Sequence, residues 1–157
     1  MNRNGNKLLV NLDGPIGETT KLFTLPIDNV MELTLEMSGV TFINSIGVKH
    51  WIIWTLKIPA QCKVKIVNCP FVIVSQASTV VGFITPRITI ESFRMPYNCE
   101  RCNYEETIVA KRGNEFEYST PVKPKFLKLP SNVRCPKCKE ETFQPDFMIE
   151  KTFKFLT

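Results

Sequence analysis

The chain has 157 residues, of which 43% are hydrophobic and 22% charged, and it carries a formal net charge of +5. That length suits one ordinary domain, or one small domain with an appendage, and the apolar share excludes wholesale disorder. No apolar run reaches the ~20 residues that cross a bilayer, and the polar start Met1-Asn2-Arg3-Asn4-Gly5-Asn6-Lys7 does not read as a signal peptide, so a cytoplasmic protein without membrane contact is expected.

Residues 1–6 hold no element signal and are expected to be disordered. Residues 7–12, Lys-Leu-Leu-Val-Asn-Leu, read as a strand stopped by the turn signal Asp13-Gly14-Pro15. Residues 30–37 alternate apolar with polar or small side chains and predict a second strand. Asn44-Ser45 then introduces a helix over residues 46–57, with Ser45 placed to cap it. Ile58-Pro59 ends that helix, because a residue before proline is pushed out of helical geometry. Residues 63–67, Lys-Val-Lys-Ile-Val, predict a third strand. Asn68-Cys69-Pro70 starts another helix, with proline in the first turn, and residues 88–90 predict a last short strand. Strands alternating with helices across short links imply a parallel sheet with right-handed crossovers, an α/β fold.

On the helix over 46–57, Val48, Trp51, Ile52 and Thr55 share one side, while Lys49, His50 and Lys57 lie roughly opposite. Ile46 and Ile53 break the division. At 100° per residue they fall within about 20° of each other, amid the polar group. Two branched apolar residues there mark either a contact surface for a partner or a patch covered by the rest of the chain.

Residues 37–48, Met-Ser-Gly-Val-Thr-Phe-Ile-Asn-Ser-Ile-Gly-Val, run from a strand into this helix and resemble the signature loop of STAS domains, the anti-sigma-factor antagonists and their relatives. Leu12-Asp13-Gly14-Pro15-Ile16 is similar to that family's first strand and glycine turn, and residues 64–68 to its later strand–helix repeat. The resemblance implies a small domain over residues 7–96, with helices on one side of a mixed sheet and no catalytic machinery. It also implies a regulatory phosphoprotein in bacterial signal transduction and transcription regulation. In phospho-regulated members, an anti-sigma-factor kinase modifies a serine at the start of this helix. Ser45 matches that acceptor, Asn44 stands where the family has aspartate, and Ile46 replaces a small hydroxyl residue. Asn44, Ile46, His50 and Ile53 would then form the partner-binding face.

The cysteines carry the second signal. Cys62 and Cys69 stand alone and suit a core, whereas Cys99-x-x-Cys102 and Cys135-x-x-Cys138, with 32 residues between the pairs, form a four-ligand metal pattern. Two thiolates in one tight turn reach an ion from the same side, and a second such turn closes the shell. His50 is the single histidine and lies far from both pairs, so the ligand set is four cysteines. Soft thiolates favour one structural zinc, without an open position for water or substrate. An iron site of rubredoxin type, two disulfides and a redox switch are the rivals. Cytoplasm disfavours stable disulfides, and Asn103 and Lys139 stand where rubredoxin knuckles carry glycine.

Residues 97–157 resemble a zinc ribbon, the first knuckle leading into residues 107–110 and the second into Thr142-Phe143. About 60 residues bury only a modest core, so metal should supply much of the folding energy. Chelation is then expected to loosen residues 97–157 and leave the first domain folded, with a seam at Met95-Pro96-Tyr97. Ile149, Phe153 and Leu156 fall at helical spacing and predict a docking segment at the C-terminus.

The function expected is a non-enzymatic protein–protein interaction module. Nucleic-acid binding through the ribbon is the alternative, with Lys111, Arg112, Lys123, Lys125 and Lys128 as phosphate contacts. Against it, residues 97–157 carry a formal charge of +2, which four thiolates and one Zn²⁺ would bring to zero. One histidine, no glycine-rich phosphate loop and no convergent acid–base set leave an enzyme little to build on.

Overall fold

The structure is a computed structural model, described for residues 1–156. Strands β1 (Asn2–Asn4) and β2 (Lys7–Ile16) form an antiparallel hairpin about Gly5, whose φ of +60° suits a tight two-residue turn. Residues 2–4 therefore find a ladder where disorder was the expectation. The Arg3 guanidinium adds bonds to the carbonyls of Gly5 (3.2 Å) and Asp28 (3.0 Å).

Strands β3 (Glu32–Ile43), β4 (Lys63–Val67) and β5 (Ile88–Ile90) follow β2 in parallel, giving the order β1-β2-β3-β4-β5. Helix α1 (Ser45–Lys57) joins β3 to β4, and α2 (Phe71–Thr79) leads from β4 to β5. The sheet is mixed through β1 alone.

Two strands outrun their sequence signals. Asp13-Gly14-Pro15 bulges rather than turns: the β2–β3 register shifts between Asn11 and Asp13 and again between Gly14 and Pro15, with Gly14 at φ +76°. A long parallel partner holds the chain extended past a local turn signal. β3 likewise runs on to Ile43, through Gly39. A side chain at Gly39 would collide with the Asp13 carboxylate, which would have to move aside to admit it.

Alternation decides which face is covered. Leu8, Val10 and Leu12 on β2, Leu33, Leu35 and Met37 on β3, Val64 and Ile66 on β4, and Ile88 and Ile90 on β5 are all buried. They share one core with Trp51 and Trp54 of α1 and Ile73 and Val74 of α2. Trp51 stacks on Phe83 at 5.3 Å and donates its indole N–H to the Phe83 carbonyl. The opposite face is polar, with Glu32 of β3 paired to Lys65 (3.1 Å) and Lys7 (3.7 Å) on its neighbours. At the end of α1, Arg87 donates to the Ile58 and Pro59 carbonyls. Pro70 sits one position earlier than the sequence suggests, as the capping residue of α2, its carbonyl accepting from the Ile73 and Val74 amides.

One residue after β5 the chain enters β6 (Ser92–Cys99), which pairs with β7 (Glu105–Lys111). Strands β8 (Phe116–Glu117) and β9 (Phe126–Leu127) pair with each other, and β10 (Phe143–Pro145) returns to the far edge of β6, giving β10-β6-β7. The expected seam at residues 95–97 thus falls inside a strand. Pro96 is tolerated there because the N–H it lacks would point toward β10 one residue past that strand's last partner. At that point the Asp146 amide bonds the Pro96 carbonyl.

The two sheets share a core rather than a linker. Cys69 and Ser92–Arg94 exchange backbone hydrogen bonds, and Phe93 lies 4.7 Å from Phe116 and 5.1 Å from Phe153. Helix α3 (Ile149–Thr152) and a 3-10 turn (Lys154–Leu156) carry the tail back onto both halves. Phe153 and Leu156 are buried and Ile149 is half-buried. Phe147 packs on Phe71 of α2, Ser78 donates to the Thr152 carbonyl, and the Ser119 amide bonds the Leu156 carbonyl.

Candidate metal centre and the exposed helix face

Cys99 closes β6, Cys102 lies in the turn to β7, and Cys135 and Cys138 flank a matching turn before β10. In each turn the first cysteine's carbonyl accepts the amide four residues on, Asn103 at 2.8 Å and Lys139 at 3.0 Å. Asn103 (φ 57°) and Lys139 (φ 65°) both adopt the left-handed conformation that glycine usually takes at this position. Asparagine enters that region readily. Lys139 is further held by its ammonium on the Pro136 carbonyl at 2.6 Å. An Arg101–Glu140 ion pair (3.3 Å) and a Gln144–Glu100 contact tie the knuckles together.

The four Sγ atoms lie within 4.8 Å of one another. The closest approaches, Cys99–Cys138 and Cys102–Cys135, are 3.6 Å each and join opposite knuckles. A tetrahedron with metal–sulfur bonds of about 2.3 Å has edges of about 3.8 Å, so the donor set fits a metal ion. Four near-equivalent sulfurs are what one shell needs and what two separate disulfides would not produce.

The Thr142 hydroxyl, 3.0 Å from Cys99 Sγ, draws that thiol down to about 6, while burial holds Cys102 up at about 11. Burial alone thus works against a thiolate at Cys102, and a bound cation is what favours it. Cys62 and Cys69 are buried, and desolvation raises both thiols, which suits core residues and not nucleophiles.

At the start of α1 the sequence and the structure differ by one residue. Asn44, not Ser45, caps the helix: Asn44 is extended, and its Oδ1 accepts the Gly47 amide at 2.7 Å. The strand end fixes this register. The Asn44 amide bonds the Ile16 carbonyl, and a side chain at Gly47 would collide with that same carbonyl. Asn44→Ala should cost about 1 kcal/mol and Ser45→Ala close to nothing, a contrast that urea melts of the two variants will read.

Ser45 is exposed, and among the described residues no hydrogen bond engages its hydroxyl. Ile46 (39%), next to it in the chain, and Ile53 (37%), about two turns further along the helix, are exposed, so the second half does not cover them. His50 is half-buried with its ring edge-on to Phe23 at 5.7 Å. Leu56 (71%) and Phe42 (51%) are exposed as well, which sequence reasoning missed. Leu56 lies three residues beyond Ile53 and was within reach of the same periodicity. Phe42 is the last residue but one of a strand that the sequence stops too early.

Lys111, Lys123, Lys125 and Lys128 are exposed, and Arg112 is paired to Glu117 (2.6 Å) and Glu91 (3.2 Å). Among the described residues no helix is long and apolar enough to cross a membrane.

Set against protein-family models, curated proteins and solved structures, the chain matches none of them. What fold and site define is a mixed α/β protein with a five-stranded sheet and, in its C-terminal part, a four-cysteine cluster able to hold a metal ion.

Proposed function

We propose that the chain is a non-enzymatic regulatory module that binds a protein partner through the start of α1, in the manner of a bacterial anti-sigma-factor antagonist, with one structural zinc on Cys99, Cys102, Cys135 and Cys138. The observation that carries it is the free Ser45 hydroxyl on an already capped helix that also exposes Ile46 and Ile53. A mixed first sheet with one face buried under helices and the other polar supports the STAS reading further.

Because Asn44 does the capping, Ser45 is spared for recognition. A helix N-terminus offers unpaired N–H groups and partial positive charge, so a phosphate on Ser45 is accommodated without unfolding. It adds about −1.5 to −2 of charge to a helix that exposes two isoleucines. Burying that charge in an apolar interface is costly, and docking is blocked. A signalling kinase of the anti-sigma-factor type, or a related protein, is the partner that fits. The zinc supplies folding energy and no chemistry, since four thiolates close its shell. Arg112, neutralised by two glutamates, leaves the nucleic-acid alternative less to work with.

The test is affinity purification from the native cells with Ser45→Ala, Ser45→Asp and Ile53→Asp. The expected result is a partner retained by the alanine form and lost by both aspartate forms. Identical partner lists for all three would remove the surface from consideration.

A further inference from the structure

Thr142 immediately precedes β10, and it reaches the opposite knuckle twice. Its carbonyl accepts the Glu100 amide at 3.3 Å, and its hydroxyl stands 3.0 Å from Cys99 Sγ. The ladder explains the placement: Phe143 is directly opposite Cys99, so the residue before it falls alongside the first knuckle. Either atom could donate in this contact, but a metal-bound thiolate only accepts, so on the metal reading the Thr142 hydroxyl donates to Cys99. Cys135, the corresponding first cysteine of the other knuckle, receives the backbone amide of Lys137 at 3.4 Å. Cys99 is thus supported by a side chain that substitution can remove.

Resting on the reading of the four cysteines as a metal site, we propose that Thr142 is a positioning residue for that site: its O–H···S bond orients the Cys99 sulfur as a ligand and withdraws part of its charge. Outer-shell partners of this kind fix ligand direction and are commonly worth 10–100-fold in metal affinity. Thr142 also comes from the segment after the second knuckle, so its bond makes the first knuckle's grip on the metal depend on the β10 register. Neither knuckle then holds the ion well alone.

The experiment uses the full chain, loaded with Zn²⁺ or with Co²⁺ as a spectroscopic substitute, in four forms: unaltered, Thr142→Val, Thr142→Ala and Thr142→Ser. Zinc affinity is measured by competition with a chromophoric chelator, and the sulfur-to-cobalt charge-transfer band by absorption. Valine and alanine should each weaken zinc about tenfold or more and shift the cobalt band, whereas serine, which keeps the hydroxyl, should stay within about twofold of the unaltered chain. Alanine guards against a packing artefact of the valine methyl. Equal zinc affinity and an unchanged cobalt band in all four forms would overturn the role of Thr142 while leaving the metal site intact. Weakening by serine as severe as by valine would overturn it too, since packing would then be the cause. Absence of stoichiometric zinc and of a tetrahedral cobalt spectrum in the unaltered chain would overturn the metal reading itself.

Discussion

On the reading of the four cysteines as a zinc site, Cys135→Ser is expected to abolish metal binding and to unfold the C-terminal half. Cys135 is fully buried, and its removal leaves three thiolates around a cation that needs four. Structural zinc sites contribute on the order of 10 kcal/mol to folding, against a total stability of about 5–15 kcal/mol for an ordinary domain. The short strands β8, β9 and β10 cannot replace that. The damage should also travel further than the sequence suggests. β10 leads directly into the tail, and the tail covers Phe71 of α2 and Phe93 at the junction of the sheets. Metal loss therefore exposes aromatic surface on the first half as well, instead of leaving it untouched. Limited proteolysis with and without chelator, mapped by mass spectrometry, will show cleavage within residues 97–157 first and around α2 next. A chelated protein that melts at the same temperature as the loaded one, with the same cleavage map, would sink this account.

How legible all this was depends on the range of the interaction concerned. Residues 63–67 read as a strand because strict alternation and local breakers coincide, and the structure has β4 over the same residues. The four cysteines were legible because thiolates in two C-x-x-C turns have little else to do than converge. Asp13-Gly14-Pro15 misled for the opposite reason: its turn chemistry is local, and the long parallel ladder to β3 overrode it. At Asn44-Ser45 both residues are good caps, so nothing nearby could choose between them. The choice came from the Ile16 carbonyl, which lies 28 positions from Asn44 and allows only glycine at 47. Thr142 was invisible as a candidate because its meaning depends on β10 being in register with Cys99. The sequence also divides residues 7–96 from residues 97–157, because composition changes near residue 96, while the packing runs across that point.

Phe93→Ala tests that last point, and it should destabilise the whole chain as one unit. Phe93 is fully buried on β6, with Phe116, Phe153 and Phe155 around its ring and a backbone bridge to Cys69 beside it. Truncating such a ring forfeits its burial and leaves a cavity, at a cost of about 3–5 kcal/mol. For a chain of this size the melting temperature should fall by on the order of 10 °C. The informative feature is which signals move. Both tryptophans, Trp51 and Trp54, lie in α1, so their fluorescence reports the first half. Release of zinc to a chelating dye reports the second. If Phe93 is common to both, the two signals shift together and remain one transition. The exposed Phe42, changed to alanine, should move neither by more than about 0.5 kcal/mol. Tryptophan fluorescence that melts as before while zinc leaves early would show that the halves fold independently, and the shared aromatic core would then hold only the tail.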